Sequence, residues 1–371
     1  WHQYLYRFLD EADQNVVKMS FMDLAFEAAW YGTKQIRKNR EKYNCNIPWT
    51  ILIDPTSACN LHCTGCWAAE YGHQLNLTYD QLDSIVTQGK KLGTYFYMFT
   101  GGEPLLHPNF WHICETLEKN DTVEEFGIIT NGTLLKKDTV EKITSYRKFK
   151  TIKISCEGSE KDCFEHIRPF AYTGFLDILK LISHFKGNKF LMFTLMEINS
   201  NQIPGLFNLV EKYGLNGFII ERFFPMGKGK QLAEFVISKQ TWKTTIKKLL
   251  QKCGFPDDLN LVLPYRAFKI AKNKKTWQLF GAPCIVGKSG CAIMHDGTVF
   301  PCRRFALDIG NSLYQPFEEI WKNNPCRKIK RKTLKGTCGI CKIKSCRGCR
   351  AIARCLYGDY LKQDPHCFLD G

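Results

Sequence analysis

Short apolar runs alternate with amphipathic stretches between residues 48 and 222, and few folds accept that rhythm. A segment of strand period followed by one of helix period, repeated, reads as β/α units whose strands pair in parallel. Six strands are expected, at 50–54, 95–100, 125–130, 151–156, 190–197 and 217–222. Helices are expected between them near 79–92, 108–119, 136–146, 174–185 and 203–213. The fold class that follows is α/β, a partial, open (β/α)6 TIM-like barrel. Chemistry in such folds gathers at the C-terminal ends of the strands. Those ends carry Cys59, Gly101, Asn131-Gly132, Cys156-Glu157-Gly158 and Glu221-Arg222.

The first of these ends is rich in thiols. In Cys59-Asn-Leu-His-Cys63-Thr-Gly-Cys66 three cysteines share one short loop directly after the first expected strand. Cubane iron-sulfur clusters normally take four thiolates, so three leave one iron free to bind a substrate or cofactor. A partial zinc site or a set of buried thiols is the plainer alternative. Gly101-Gly102-Glu103-Pro104 follows the second strand, where glycines let backbone approach a ligand closely. Taken alone, that run would be an ordinary strand-to-helix turn.

Together, Cys-x3-Cys-x2-Cys and Gly-Gly-Glu-Pro resemble the two signatures of the radical S-adenosylmethionine (radical SAM) superfamily. The resemblance implies that Cys59, Cys63 and Cys66 hold a 4Fe-4S cluster whose open iron is chelated by the amino and carboxylate groups of SAM. Reductive cleavage of the sulfonium then yields a 5'-deoxyadenosyl radical, which takes hydrogen from a substrate C-H bond. It also implies that Gly101, Gly102, Glu103 and Pro104 bind SAM, Glu103 by accepting from its ammonium or by ordering the backbone that does. Asn131 and Glu157 look like positions lining its adenosine and ribose, Arg168 looks like a carboxylate-binding arginine, and Glu221 is placed with them at its strand end. Asn-Gly after a strand is also a common turn. The glycine-rich run at 226–230 lacks the spacing and the hydroxyl of a P-loop and reads as a strand exit.

Eighteen cysteines among 371 residues would mean disulfides in a small secreted protein, but here they cluster at metal-ligand spacings. A reducing, anaerobic cytoplasm is the expected setting. With 44% apolar residues the chain has material for two or three domains, and no apolar run approaches the roughly 18 residues that span a bilayer. The formal net charge of +16 favours anionic partners such as acidic peptides, phosphates or lipid head groups. Its lysines are spread through helices rather than gathered in a stripe, which argues against nucleic acid.

Beyond residue 283 the cysteines recur as Cys284, Cys291 and Cys302, then Cys338, Cys341, Cys346 and Cys349, with Cys355 and Cys367 after them. Cys-x2-Cys-x4-Cys-x2-Cys alone would suit zinc. The wider pattern, with Gly297-Thr-Val-Phe-Pro-Cys302, Cys346-Arg-Gly-Cys349 and Asp364-Pro-His-Cys367, resembles the SPASM extension of radical SAM enzymes, which holds two auxiliary 4Fe-4S clusters in electron transfer. Carried across, the resemblance places Cys284, Cys291, Cys302 and Cys349 on the first and Cys338, Cys341, Cys346 and Cys367 on the second. The block from Cys338 to Cys349 is one residue shorter than usual at each of two gaps, so Cys355 is an alternative to Cys349. Cys45, Cys114, Cys253 and Cys326 read as buried or surface thiols. Cys156 and Cys163 are weighed as hydrogen donors near the barrel opening.

Aromatic and basic residues at helical spacing, Phe21, Phe26, Trp30, Tyr31, Lys34, Arg37 and Arg40, mark an N-terminal helical arm, with peripheral membrane contact as the sharper alternative. The arm lacks the alternating strand pattern of a winged-helix leader-binding module. The chain opens at Trp1 without a methionine, so a short native N-terminus is expected before it. The expected units are the arm at 1–44, the barrel at 45–230, a helical linker at 231–283 and the auxiliary iron-sulfur domain at 284–371. The function expected is SAM cleavage with modification of a peptide or protein, served by a flavodoxin- or ferredoxin-type reductant. A lipid or cofactor precursor is the alternative substrate, and an iron-sulfur electron carrier or zinc-stapled binding protein is the non-enzymatic alternative.

Overall fold

Six consecutive strands in parallel register organise the chain. A computed structural model describes residues 33–369 apart from 69–71, 73, 274, 344 and 345. In it β1 (Thr50–Ile53), β2 (Phe96–Phe99), β3 (Glu125–Thr130), β4 (Phe149–Cys156), β5 (Asn188–Leu195) and β6 (Gly217–Arg222) pair in chain order. Helices α1 (Thr33–Tyr43), α2 (Tyr79–Leu92), α3 (Phe110–Lys119), α4 (Lys137–Ser145), α5 (Lys161–Ile167), α6 (Tyr172–Ile182) and α7 (Ile203–Lys212) precede and connect them. The six strands fall where the apolar runs place them. Helix α5 was not among the expected helices.

Period two divides each strand between two environments. Ile51, Tyr97, Ile128, Ile154, Phe193 and Ile220 are buried in one core with Leu82, Ile113, Ile143, Leu179 and Leu206 of the surrounding helices. Each such burial contributes about 1.5–3 kcal/mol. The alternate positions, including Ile129, Ser155, Met192 and Thr194, line a cavity inside the barrel. The helices are delimited by local chemistry: α2 starts at a capping box between Thr78 and Gln81 and stops at Gly93, whose φ of 94° suits only glycine without strain.

Residues 231–283, expected as a helical linker, hold α8 (Lys239–Lys252) and also an antiparallel hairpin, β7 (Tyr265–Lys272) and β8 (Trp277–Pro283). Phe268 and Ile270 alternate with Lys269 and Ala271, a strand period that pairs β7 with β6. At the opposite edge β9 (Gly290–Ile293) pairs in parallel with β1 and carries β10 (Val299–Phe300). The sheet therefore has ten strands in the order β10-β9-β1-β2-β3-β4-β5-β6-β7-β8, and segments on both sides of residue 284 belong to it. A second core, with Val286, Phe305, Cys326, Ile329, Leu334 and Ile352, gathers around Cys338 and Cys349. Helix α9 (Phe317–Asn323) packs into the main core, whereas α10 (Thr337–Ile340) and α11 (Arg350–Tyr357) contribute to this second one.

Of the N-terminal arm, α1 is described and carries Lys34, Arg37 and Arg40. Buried Asn39 ties it to the barrel by donating to the carbonyls of Lys91 and Leu92 at 2.8 and 3.0 Å. Phe21, Phe26, Trp30 and Tyr31 lie outside the described residues. No helix among the described residues is long and apolar enough to cross a membrane.

Candidate metal and cofactor site

The loop leaving β1 brings Cys59, Cys63 and Cys66 to a cavity of about 180 Å³, where Gly101, Asn131 and Arg168 also stand. Burial pushes the Cys63 thiol up to about 12, with Arg168 pulling the other way. A soft metal that displaces the proton would relieve this cost. Among the described residues no three His, Cys, Asp or Glu side chains are placed to hold a single ion. A cubane spreads its thiolates over the corners of a larger body.

The two glycines line the cavity and also let the exit of β2 press against the thiol loop. Gly102 N donates to Thr56 O at 3.0 Å and Glu103 N to Ala58 O at 2.7 Å, so the exit of β2 lies against the thiol loop. A β-carbon at Gly102 would meet Ala58 O at 2.0 Å, and one at Gly101, where φ is 112°, would meet Thr56 O at 2.6 Å. Glu103 is fully buried. Its carboxylate accepts from Thr130 Oγ1 at 2.7 Å, Asn131 N at 2.8 Å and Leu105 N at 3.2 Å. Burial raises its pKa, and those three donors oppose the rise. It orders the backbone of the β3 exit, and Pro104 opens the short turn it caps.

Asn131 reaches back to the loop, its Nδ2 donating to Asn60 Oδ1 at 2.9 Å and lying 3.9 Å from Cys59 Sγ. Glu157 and Arg168, expected to serve ribose and carboxylate separately, hold each other: Nε and Nη2 of Arg168 donate to Glu157 Oε2 at 2.8 and 2.7 Å, both side chains buried. Glu221 is paired with Arg304. Cys156 and Cys163 are not at the cavity. Cys156 is fully buried in the outer core and donates to Gly158 O, while Cys163 sits on α5 beside Ile167 and Phe235.

Arg303 and Arg304, which the sequence reading did not single out, complete the cavity wall with Arg222, named there only as part of the Glu221-Arg222 strand end. Arg303 Nε donates to Asp54 at 2.9 Å, its Nη2 to Gly101 O at 2.9 Å, and its guanidinium lies 4.3 Å from the Trp67 ring centre. Arg222, 1% exposed, uses Nη1 on Asp364 at 3.3 Å and His366 Nδ1 at 2.9 Å. Its Nε and Nη2 meet no acceptor among the described residues. The signal available in the sequence was the Arg-Arg pair directly after Cys302 and the arginine ending β6.

The C-terminal thiols are wired by N–H···S contacts. Cys338 Sγ accepts from Asp364 N at 3.3 Å and Arg350 Nη2 at 3.4 Å, and Cys346 Sγ from Arg266 Nη2 at 2.8 Å and Gly348 N at 3.4 Å. Asp364 bridges Arg266, Arg222 and Cys349 N. Burial works against its charge, but Arg222 and Arg266 outweigh it and hold the carboxyl well below the usual range. Cys341 is buried nearby in sequence, and Cys367 is half-buried beside Asp364 and Cys338. Cys284, Cys302 and Cys349 come together at the second core, but Cys291 does not join them: it lies in the main core on β9.

Residues 53–210 match the radical SAM superfamily, and residues 284–350 match the SPASM iron-sulfur cluster-binding domain. An AdoMet-dependent heme synthase of Methanosarcina barkeri is 27% identical, over 87% of this chain and 97% of its own. The mycofactocin maturase MftC of Mycobacterium ulcerans is 23% identical over 88% of this chain and 89% of its own. Among solved structures, Streptococcus suis SuiB bound to its precursor peptide SuiA superposes with a TM-score of 0.69 at 16% identity, covering 91% of this chain and 80% of that one. The two matched domains imply SAM and iron-sulfur clusters as cofactors. The chain belongs to the radical SAM superfamily and carries a C-terminal SPASM domain.

Proposed function

We propose that this protein cleaves SAM and modifies an anionic peptide or protein substrate, with two auxiliary clusters passing electrons. One observation carries the reading: a single cavity is lined by Cys59, Cys63 and Cys66 together with Arg222, Arg303 and Arg304. The donor set fits the implied group, being three soft thiols on one loop with no fourth cysteine lining the cavity among the described residues. When bound, a cluster on these thiolates supplies the electron that cleaves SAM to a 5'-deoxyadenosyl radical, which takes hydrogen from the substrate. Glu103 holds Asn131 and the thiol loop in place, and Trp67 and Arg303 close the loop against the C-terminal region. Arg222 Nε and Nη2 are buried beside the cavity and meet no acceptor among the described residues. Arg304 adds a second cation beside Glu221.

Fold likeness to SuiB, seen with its precursor peptide, supports the peptide reading. A carboxylate-bearing cofactor precursor is the second reading, favoured by the sequence likeness to heme synthases along most of the chain. The electron donor is a flavodoxin- or ferredoxin-type reductant in either case.

The test is anaerobic reconstitution, iron and sulfide counting, and a dithionite assay for 5'-deoxyadenosine. About twelve irons with SAM cleavage are expected. The variant Cys59→Ala/Cys63→Ala/Cys66→Ala is expected to lose about four irons and all 5'-deoxyadenosine; continued cleavage by it would falsify the assignment. Deuterium transfer into deoxyadenosine from labelled acidic peptides, against labelled carboxylate-rich cofactor precursors, decides between the two substrates.

A further inference from the structure

Helix α8 carries charge of one sign. Its residues include Lys239, Lys243, Lys247, Lys248 and Lys252 and no aspartate or glutamate. Trp242, Ile246, Leu249 and Leu250 bury one face of it. The helical period turns Gln240, Thr244, Lys248 and Lys252 outward in a single row, and all four are exposed.

That row borders a groove of about 650 Å³, to which α7 contributes Ile203, Pro204 and Phe207. Phe207 and Leu249 make part of the lining apolar, and among the described residues its charged lining is Lys248 and Lys252, without a carboxylate. The nearby acids are already engaged. Glu197 accepts from Ser238 N at 2.8 Å and from Thr241 Oγ1, Glu211 pairs with Lys272, and Asp257 pairs with Lys247 at 2.8 Å. Lys252 lies 5.5 Å from the Phe207 ring centre rather than against a counter-ion. Another surface groove, between α4 and α6, is different in kind: Lys137 and Lys180 share its lining with Glu141 and Asp177. The unbalanced row on α8 is therefore local and not a mere reflection of the net charge.

The start of α8 is tied to the C-terminal thiols. His366 Nε2 donates to Ile237 O at 2.9 Å, Lys239 Nζ donates to Leu369 O at 3.3 Å, and Trp242 stacks on Phe368 with ring centres 6.3 Å apart. Half-buried Cys367 stands between these anchors in the chain. The helix rises about 15 Å from Trp242 to Lys252, so a protein seated on the lysine row reaches close to the Cys367 segment.

An apolar groove rimmed by unpaired cations suits an acidic protein, because opposite charge steers the encounter and fixes its orientation. The tie to Cys367 selects, among acidic proteins, one that carries an electron. We propose that the groove between α7 and α8 docks an acidic one-electron carrier protein, and that its electron enters this chain through the second auxiliary cluster, at Cys367. The carrier loses one electron and the cluster gains it. The entry step rests on the reading that the C-terminal region holds iron-sulfur clusters.

The test uses the full chain with Cys59, Cys63 and Cys66 changed to Ala and its auxiliary clusters reconstituted, so that only auxiliary reduction is seen. A bacterial flavodoxin and a small acidic ferredoxin are the carriers, each titrated for binding by calorimetry and then, in reduced form, mixed in stopped flow. Photoreduced deazaflavin, small and uncharged, is the reference reductant. Lys248→Glu/Lys252→Glu is expected to weaken carrier binding and to slow carrier-driven reduction about tenfold or more, with a flatter salt dependence. Its iron content and its reduction by deazaflavin are expected to stay at the parent values. Lys137→Glu/Lys180→Glu, which changes net charge equally at the other groove, is expected to leave the carrier rate unchanged. Equal slowing in the two double variants overturns the proposal, as does a parent rate in Lys248→Glu/Lys252→Glu. Binding of neither carrier, with Lys248- and Lys252-dependent binding of phosphatidylglycerol vesicles instead, overturns it in favour of a lipid surface. A parent that takes up no auxiliary iron fails the functional reading, and carrier binding titrated on the same sample still decides the docking.

Discussion

Glu103 lives on donors rather than on a counter-ion. Its two oxygens satisfy a hydroxyl and two backbone N–H groups, and one of these bonds spans 27 positions, to Thr130. Glu103→Gln keeps the shape but sets an NH2 group against a donor, so a loss of about 1–3 kcal/mol is expected in urea denaturation. The exit of β3 should loosen with it, and SAM cleavage should fall. The motif made Glu103 visible in the sequence. Its inward role was not visible, because the partners that define it come from another strand. Arg303 and Arg304 were hidden for the same reason: their meaning depends on Asp54, Gly101 and Glu221, all remote in the chain. Arg304→Gln leaves Glu221 unpaired and removes a cation from the cavity, so substrate KM is expected to rise about tenfold or more while uncoupled SAM cleavage persists, a loss of roughly 1.5 kcal/mol in binding. Equal KM in both proteins would place the anion site elsewhere.

At the scale of elements, a few side chains join pieces that the sequence shows only separately. Asn39 of α1 answers two carbonyls at the end of α2. Asn39→Ala strands them and is expected to cost about 1–2 kcal/mol, with faster hydrogen exchange at 33–43 and 90–93. His107, in the turn between β2 and α3, donates from Nε2 to Leu77 O at 2.7 Å and accepts from Asn109 N at 3.2 Å through Nδ1, which fixes the proton on Nε2. Burial lowers its pKa from 6.5, with the Leu77 carbonyl opposing. The folded state thus favours the neutral ring. The stability it contributes is complete above about pH 6.5 and drains as pH falls through the depressed folded value. Tm measured from pH 7 to pH 5 should fall more steeply in the parent than in His107→Gln. The six barrel strands were legible because each is an apolar run bounded by polar turns. The β7–β8 hairpin was passed over because Lys269, Lys272 and Gln278 interrupt its hydrophobicity, and only its place at the edge of the sheet makes that pattern a strand.

For the whole molecule, the C-terminal region has its thiols at widely spaced chain positions but packs a small core of its own. Iron removal under anaerobic chelation is therefore expected to speed hydrogen exchange across 334–367 well before it reaches β2 to β5, whose core is aliphatic and aromatic. Uniform loosening would mean that the two cores are not separable. Metal ligand spacing was legible at the level of residue type, and sidedness was not. Cys291 has suitable spacing, yet whether it faces the thiol group or the main core is decided by which strand β9 pairs with, a tertiary fact.

The same pairing sets a schedule. Asp54 and Arg303 are 249 positions apart, and β1 gains its outer neighbour only with β9. At ribosomal speed the interval is roughly 10–50 s. Throughout it the loop with Cys59, Cys63 and Cys66 is already synthesised, and its lid is not. Iron delivery to this loop thus has a window during translation that closes when Arg303 docks, and slowing or hastening synthesis of the last quarter of the chain should change how fully the first cluster is loaded.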